Sequence, residues 1–137
     1  MPPNSHGSPR GVLVVEDNAL NSSFLCRYIH SLGYAVVYAQ DGQEALEFLA
    51  ANQGWTGLIF LDLRMPRMDG FEFRSRQRRD PQIASIPVVI LSAEGDAADC
   101  ASLDAVALAK PLQLIKIQRT LRQWLGAPDG AEILAAS

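Results

Sequence analysis

Five short apolar segments alternate along the chain with longer stretches of mixed polarity. Three of the segments, Val12–Val15, Leu58–Leu61 and Val88–Leu91, are continuous runs of apolar residues. Such runs are typical of parallel strands that are buried on both faces of a sheet. The segments predict strands over Gly11–Val15, Tyr34–Tyr38, Leu58–Leu61, Pro87–Leu91 and Ala105–Leu108.

The stretches between the strands have the periodicity of helices. Between residues 20 and 32 the apolar positions predict one buried stripe, and this stripe comprises Leu20, Phe24, Leu25, Tyr28, Ile29 and Leu32. A last helix is predicted from about Leu112 to Leu125, before Gly126 and Pro128. Its predicted apolar face consists of Leu114, Ile117, Leu121 and Trp124.

Two segments resemble capping boxes at the start of helices. Asp41 is followed three residues later by Glu44, and Asp69 is followed in the same way by Glu72. In this motif the first side chain accepts a hydrogen bond from the backbone of the fourth residue. We therefore expect helices to begin after Asp41 and after Asp69.

The alternation of strands and helices predicts one doubly wound α/β domain with a five-stranded parallel sheet of flavodoxin-like type. The predicted strand order is 2-1-3-4-5. We expect the domain to occupy residues 10–126, between a disordered tail at 1–9 and a C-terminal tail at 127–137. On this division we expect the chain to carry no output domain of its own.

Composition excludes several classes of function. Apolar residues make up 48% of the 137, which is typical of a globular core, and the net charge of −3 gives no basic footprint for nucleic acid. No apolar run reaches the length of a membrane span, and the N-terminus lacks the layout of a secretory signal. We expect a cytoplasmic protein that contacts neither nucleic acid nor membrane.

Charged and polar side chains follow four of the predicted strands. Glu16 and Asp17 follow the first, Asp62 the third, Ser92 the fourth and Lys110 the fifth. Ligands of open α/β sheets bind at the carboxyl ends of the strands. Carboxylates brought together there repel one another unless a cation is present, and hard oxygen ligands suit Mg²⁺. A hydroxyl and an ammonium beside them suit a phosphoryl group.

Each of these residues has an ordinary interpretation when it is taken alone. Glu16 or Asp17 could cap a helix, Asp62 could belong to a turn, and Lys110 could be a surface lysine. Their joint position at the ends of strands favours the shared pocket.

Four segments resemble the receiver domain family of two-component signalling. They are Val12–Asn18 (VLVVEDN), Leu61–Gly70 (LDLRMPRMDG), Leu91–Ala93 (LSA) and Ala109–Pro111 (AKP). The second is the most specific, and together they span most of the predicted domain.

The resemblance implies a phosphoacceptor and a metal site. Asp62 would accept a phosphoryl group from the phosphohistidine of a partner, which is a sensor histidine kinase or a histidine phosphotransfer protein. Asp17 would bind Mg²⁺ directly and Glu16 through water, and the backbone carbonyl of Arg64 would complete the protein ligands.

The resemblance also implies roles for the remaining pocket residues. Ser92 would donate a hydrogen bond to a phosphoryl oxygen, and Lys110 would pair with the phosphoryl group or with free Asp62. Pro111 usually follows a cis peptide bond in this family. Such a protein is not an enzyme beyond catalysing its own phosphorylation and dephosphorylation, and we expect a monomer or weak dimer.

The chain departs from the family pattern in three places. Ala107 stands where the family usually has a tyrosine or phenylalanine that switches rotamer, and Leu103 stands where it tends to have glycine. The span from Ser92 to Lys110 is short, which predicts a truncated or irregular helix between the last two strands. By analogy with the family, Arg64 and Glu94 could tune the lifetime of the phosphoryl group, or they could be ordinary exposed charges.

Three functions remain open from the sequence. The first is a phosphorylatable receiver, which could act alone, in a phosphorelay or as part of a hybrid kinase. The second is a receiver fold that serves as an interaction module without phosphorylation, an alternative that Ala107 favours. The third, a haloacid-dehalogenase-like phosphatase, ranks last because Arg64 stands two residues after Asp62, where that class has a second aspartate.

Overall fold

The computed structural model describes residues 11–93, 100 and 103–128. These residues form five strands and four helices. In chain order they are β1 (Val12–Val15), α1 (Ala19–Ser31), β2 (Val36–Ala39), α2 (Gly42–Ala51), β3 (Leu58–Asp62), α3 (Gly70–Arg79), β4 (Val88–Ser92), β5 (Val106–Ala109) and α4 (Leu114–Leu125).

All five strands pair in parallel, in the order β2-β1-β3-β4-β5. This confirms the predicted doubly wound sheet with its predicted strand order. The second strand begins two residues later than predicted, because Tyr34 lies in the turn after Gly33, whose φ is 99°. The hydroxyl of Tyr34 donates a hydrogen bond of 2.7 Å to the carbonyl of Gly126.

The three central strands, β1, β3 and β4, are buried on both faces, as their continuous apolar runs predict. Leu13 and Val15 of β1 face a core that includes residues of α2 and α3. Val12 and Val14 face a second core that includes residues of α1 and α4. Because successive strand residues point to opposite faces, one run of four apolar residues fills both cores. β1 and β3 are therefore held from two sides, and so are the polar residues that follow β1 and end β3.

Short polar side chains begin three of the helices. Asn18 accepts a hydrogen bond of 2.9 Å from the amide of Asn21 at the start of α1. Asp41 accepts one from Glu44 and Asp69 one from Glu72, each at 2.9 Å, which confirms both predicted helix starts. Each cap satisfies a backbone N–H that has no partner inside its helix.

The prediction of the apolar face of α1 is wrong at two residues. Leu25 and Ile29 are buried, but Leu20 is 83% exposed and Phe24 is 55% exposed. Successive residues are about 100° apart around a helix, so Phe24 lies off the line through Ser22, Leu25 and Ile29 that packs on the sheet. Leu20 lies in the first turn, next to the end of β1.

The last helix shows a similar difference. Ile117 and Leu121 are fully buried as predicted, whereas Leu114 and Trp124 are each 42% exposed. The helix is also held near its first residue, where the hydroxyl of Tyr28 donates a hydrogen bond of 3.1 Å to the carbonyl of Leu114. Together with the bond from Tyr34 to Gly126, this contact attaches one end of α4 to α1 and the other to the segment before β2.

Arg74, a buried residue of α3, binds the chain just before β5. Its Nε donates a hydrogen bond of 3.0 Å to the carbonyl of Leu103, and its Nη2 donates one of 2.9 Å to that of Asp104. Its Nη1 donates one of 2.8 Å to Oε1 of Gln77. Burial lowers the pKa of this guanidinium from its ordinary value. These bonds attach α3 to the segment that leads into β5.

Gln77 continues this network into the loop after α3. Its side chain is fully buried, and its Nε2 donates hydrogen bonds of 2.9 Å to the carbonyls of Ile83 and Ile86. The amide therefore satisfies two backbone carbonyls and one guanidinium nitrogen away from water.

The predicted irregular helix between β4 and β5 falls mainly on residues 94–99 and 101–102, which lie outside the described residues. Cys100 and Leu103 are described, and both are buried in the core with α2 and α3. The predicted tails at 1–9 and 127–137 also lie mostly outside the described part, so the domain boundaries stay predictions. In the described part, no helix has both the length and the apolar character of a membrane span.

We expect Gln77→Leu to lower the free energy of unfolding by about 2–4 kcal/mol, because it leaves two buried carbonyls and one donor of Arg74 without partners. Urea denaturation measures this difference. Gln123→Leu is the matched control, since Gln123 is exposed on α4, and we expect it to change stability by less than about 0.5 kcal/mol. Equal effects of the two substitutions would contradict a role for the buried network.

Candidate functional site

Three carboxylates meet at the carboxyl ends of β1 and β3. The two strands are neighbours, with Val15 paired to Leu61, so Glu16 and Asp17 emerge beside Asp62. One oxygen from each carboxylate lies within 4.8 Å of the other two. Glu16 and Asp62 are buried and Asp17 is exposed. The predicted convergence of these residues is confirmed.

Lys110 reaches the same cluster from the end of β5. Its Nζ lies 3.3 Å from Oδ1 of Asp62 and 3.7 Å from Oε1 of Glu16. Its backbone N–H donates a hydrogen bond of 2.8 Å to the carbonyl of Ser92, which fixes the start of the side chain at the end of β4. The predicted pairing with free Asp62 is present, and the peptide bond between Lys110 and Pro111 is cis, as the resemblance implies.

Ser92 lies at the end of β4, next to the strand that carries Asp62. It is buried, and its hydroxyl donates a hydrogen bond of 3.5 Å to the carbonyl of Leu108. The sheet therefore brings Ser92 to the predicted edge, with its hydroxyl directed to β5. Its contact with a phosphoryl oxygen stays a prediction.

The crowding of the carboxylates changes the acidity of Glu16. Burial and a hydrogen bond with Asp62 raise the pKa of Glu16 to about 7, although the amide of Asn18 and the charge of Lys110 act in the opposite direction. The amide of Asn18 lies 3.1 Å from Oε2 of Glu16. Near neutral pH Glu16 therefore binds a proton readily, and a cation would compete for that place.

The donor set fits a small divalent cation. All three side chains offer hard oxygen ligands, and Asp17 is open to solvent, which leaves room for the water ligands that Mg²⁺ retains. The raised pKa of Glu16 agrees with this fit, because its main cause is the burial of a carboxylate that a bound cation would help to keep ionised.

The remaining predicted positions flank this cluster. Arg64 donates its backbone N–H to Oδ1 of Asp62 at 3.4 Å, and its guanidinium lies over the ring of Phe71, 5.4 Å from the centroid. Binding of metal by the carbonyl of Arg64 stays a prediction. So does an effect of its side chain on the lifetime of the phosphoryl group. Ala107 is exposed in β5 and pairs with Ile90. The position where the family usually has an aromatic switch therefore carries only a methyl group. Glu94 lies outside the described residues.

One contact at the rim of the site was missed by the sequence analysis. Arg67, in the loop after Asp62, forms an ion pair with Asp41, in which Nη2 and Oδ2 are 2.6 Å apart. Asp41 was predicted only as a helix cap. The one signal in the sequence was the position of Arg67 inside the most specific motif. In the structure the residue has a φ of 60°.

The five-stranded parallel sheet and the acidic pocket with an adjacent lysine define a doubly wound α/β domain with a candidate cation site at the carboxyl ends of its strands. A family model of the response regulator receiver domain matches residues 12–122. The chain is also 29% identical over 122 residues to the polar-differentiation response regulator DivK of Brucella anthropi, covering 86% of this chain and 98% of DivK. The chain belongs to the response regulator receiver domain family of two-component signalling.

Solved receiver structures have the same fold. The receiver domain of the sensor histidine kinase PA1611 of Pseudomonas aeruginosa, with a magnesium ion coordinated in its active site cleft, superposes with a TM-score of 0.76 at 31% identity, covering 85% of this chain and 98% of that one. A second structure contains the histidine phosphotransfer protein Ypd1 of Saccharomyces cerevisiae, co-crystallised with the receiver domain of its downstream response regulator Ssk1. That structure matches at a TM-score of 0.73 and 25% identity, covering 85% of this chain and 88% of that one.

The relatives differ in how much of their length this domain represents. The chain spans nearly all of DivK, but only 7% of the hybrid signal transduction protein dokA of Dictyostelium discoideum, to which it is 32% identical over 117 residues. Both architectures expected for a receiver, alone or inside a hybrid protein, therefore occur among its relatives.

We expect the metal-free protein to lose stability as the pH rises between about 4.5 and 7. The pKa of Glu16 is 4.5 in an unfolded chain and about 7 in the folded one, so the folded state holds the extra proton throughout this window. The stabilising contribution is complete below the unfolded value and is lost as the pH passes the folded value. Urea denaturation in EDTA at pH 5 and pH 7.5 measures the loss.

Glu16→Gln is the variant that tests this assignment. Glutamine does not titrate, so we expect a smaller loss of stability between the two pH values than in the wild type. An identical pH dependence of the two proteins would show that another group is responsible.

Proposed function

We propose that Asp62 accepts a phosphoryl group from a phosphohistidine and that this modification is the signal that the domain carries. The observation that carries the proposal is the position of the Asp62 carboxylate, which is buried beside two other carboxylates and has the ammonium of Lys110 at 3.3 Å. Membership of the receiver family supports the same assignment.

The transfer is a displacement at phosphorus. A carboxylate oxygen of Asp62 forms a bond to the phosphorus atom while the bond from phosphorus to the imidazole nitrogen of the donor breaks. The bonding electrons leave with the imidazole, which takes a proton from solvent. The protein contributes chiefly by positioning the nucleophile and by stabilising charge on the phosphoryl oxygens.

Glu16, Asp17 and Asp62 would hold Mg²⁺, with the carbonyl of Arg64 as a further ligand. Bound Mg²⁺ supplies positive charge to the oxygens of the phosphoryl group. The fit of the donor set supports this proposal, as does the magnesium ion in the cleft of the related receiver domain of PA1611.

Lys110 and Ser92 would bind the phosphoryl oxygens that the metal leaves open. The ammonium of Lys110 would move from free Asp62 to the phosphoryl group, and the hydroxyl of Ser92 would turn from Leu108 to donate to another oxygen. Slow attack by water on phosphorus would return Asp62 to its free state. On this proposal the protein catalyses only its own phosphorylation and dephosphorylation.

The proposed partner is a histidine kinase or a histidine phosphotransfer protein. The complex of Ypd1 with the receiver domain of Ssk1 supports this partner class. The exposed side chains of Leu20 and Phe24 offer an apolar contact surface, since α1 begins two residues after the pocket residue Asp17.

A second candidate function is favoured by one observation. Ala107 is exposed on β5 and cannot act as the aromatic switch that the family usually has there. A receiver fold that binds partners without phosphorylation would have no need of such a switch. This alternative does not explain why Asp62, Glu16 and Lys110 lie together in one pocket, so we rank it second.

Incubation with acetyl phosphate and Mg²⁺ should add one phosphoryl group to the wild-type protein. We expect Asp62→Asn to abolish the gain, because the amide is a poor nucleophile, and EDTA to suppress it. Mass spectrometry of the intact protein measures incorporation. Asp80→Asn is the matched control, since Asp80 is an exposed aspartate at the end of α3, and it should incorporate phosphate as the wild type does.

Two results would overturn the proposal. Incorporation that persists in Asp62→Asn would move the modification to another residue. No incorporation in the wild type, together with no binding of beryllofluoride, would remove phosphorylation altogether and promote the interaction module.

A further inference from the structure

The β3–α3 loop, residues 63–69, connects Asp62 to α3 and contains Arg64. The first residue of the loop, Leu63, is held next to the sheet by Gly70. The N–H of Gly70 donates a hydrogen bond of 3.1 Å to the carbonyl of Leu63. A Cβ on Gly70 would lie 2.5 Å from the carbonyl oxygen of Asp62, so only glycine permits this approach. The base of the loop is therefore closed tightly against β3.

The outer part of the same loop is attached to the start of α2. The N–H of Gly42 donates a hydrogen bond of 3.1 Å to the carbonyl of Met68, and a Cβ on Gly42 would lie 2.9 Å from that oxygen. Next to it, Nε and Nη2 of Arg67 lie 2.7 and 2.6 Å from Oδ2 of Asp41. Two neighbouring residues of the loop thus bind two neighbouring residues of α2 and its cap.

The ion pair is built from a buried acid and an exposed base. The side chain of Asp41 is 2% exposed, whereas that of Arg67 is 58% exposed. Burial opposes the ionisation of Asp41, but the N–H of Glu44 and the guanidinium of Arg67 outweigh it and hold the pKa of Asp41 below its ordinary value. Asp41 is therefore a fixed anion to which the loop is attached.

Arg67 adopts a backbone conformation that disfavours its side chain. Its φ of 60° lies in the left-handed region, where glycine and asparagine are the usual residues. The strain of an arginine in this conformation must be offset by favourable contacts. The observed contact of that side chain is the pair with Asp41.

The end of β2, just before Asp41, also contacts the segment that carries Glu16. The N–H of Glu16 donates a hydrogen bond of 3.1 Å to the carbonyl of Ala39, two residues before Asp41. Residues 39–42 thus bind both segments that carry the proposed metal ligands, Glu16 on one side and the β3–α3 loop on the other. None of these four residues belongs to the carboxylate cluster.

We propose that Asp41 and Arg67 are positioning residues for Mg²⁺ and that their ion pair fixes the distance between the two ligand-bearing segments. The pair holds the β3–α3 loop so that Asp62 and the carbonyl of Arg64 meet the ion together. The inference rests on the proposed function, since it concerns the same metal site, and it assigns neither residue as a ligand.

The proposal and simple electrostatics predict opposite changes in the affinity for Mg²⁺ when Arg67 is removed. Arg67 is a cation, so its removal lowers the positive potential near the site and by itself would strengthen the binding of Mg²⁺. Loss of the positioning contact would weaken it. A weaker affinity after removal of this arginine is therefore specific to the proposal.

Isothermal titration of the protein with MgCl₂ measures this affinity directly, without phosphorylation. Arg67→Asn removes the guanidinium and keeps a residue that tolerates the left-handed conformation. We expect the dissociation constant for Mg²⁺ to rise about tenfold, the size of effect typical of residues that orient metal ligands. Arg67→Lys, which keeps the charge and one donor group, should recover part of the affinity.

Two control variants separate positioning from charge and from stability. Arg76→Asn removes the same charge from an exposed pair with Glu72 on α3, and should leave the affinity unchanged or slightly higher. Ile117→Ala removes buried contacts in α4, on the other face of the sheet, and should lower the melting temperature without changing the affinity of the folded protein.

A double-mutant cycle completes the test. Asp41→Asn keeps a residue that caps α2, and once it is present, Arg67→Asn should have little further effect on Mg²⁺ affinity. Additive losses, an unchanged or tighter affinity in Arg67→Asn, or an equal loss in Ile117→Ala would each overturn the inference while leaving the phosphoacceptor proposal intact. A wild-type protein that does not bind Mg²⁺ would overturn both.

Discussion

The accumulation of negative charge at one edge of the sheet is the constraint on which the site depends. Two carboxyl groups, those of Glu16 and Asp62, are buried beside each other, and Asp17 adds a third at the surface. Such a cluster costs free energy in the folded protein. It persists because β1 and β3 are held between two apolar cores that leave the strand ends no freedom to separate. The packing thus stabilises a charge arrangement that would otherwise relax apart.

The fold and the centre of the site could be predicted because their signals are local in sequence. Continuous apolar runs determine which segments are buried on both faces, and a charged residue that ends such a run must lie at the edge of the sheet. Glu16, Asp62 and Lys110 were therefore found together as predicted. The exposure of Leu20 and Phe24 could not be predicted, because the apolar positions of α1 span a wide arc of the helix surface and the sequence does not say which part of that arc packs on the sheet.

Contacts between distant loops were beyond the sequence signals. The pairs of Arg67 with Asp41 and of Arg74 with the carbonyls before β5 join residues that are far apart in the chain. Asp41 has a sufficient local interpretation as a helix cap, Arg74 as part of a charged helix face and Arg67 as a loop charge, so nothing in the sequence calls for a second role. The pair of Arg67 with Asp41 joins the loop after Asp62 to the start of α2, so loop contacts as well as strand pairing hold the segment that follows Asp62.

The two tyrosine hydroxyls that bind the ends of α4 restrict how a signal could leave the domain. Tyr28 holds the carbonyl of Leu114 and Tyr34 holds that of Gly126, so the helix cannot slide along its axis without breaking a hydrogen bond. A change of register in α4 is thereby disfavoured relative to a change in its exposed side chains, which include Ile115 and Trp124. The two hydrogen bonds therefore favour an α4 whose exposed apolar side chains keep a constant position relative to the sheet.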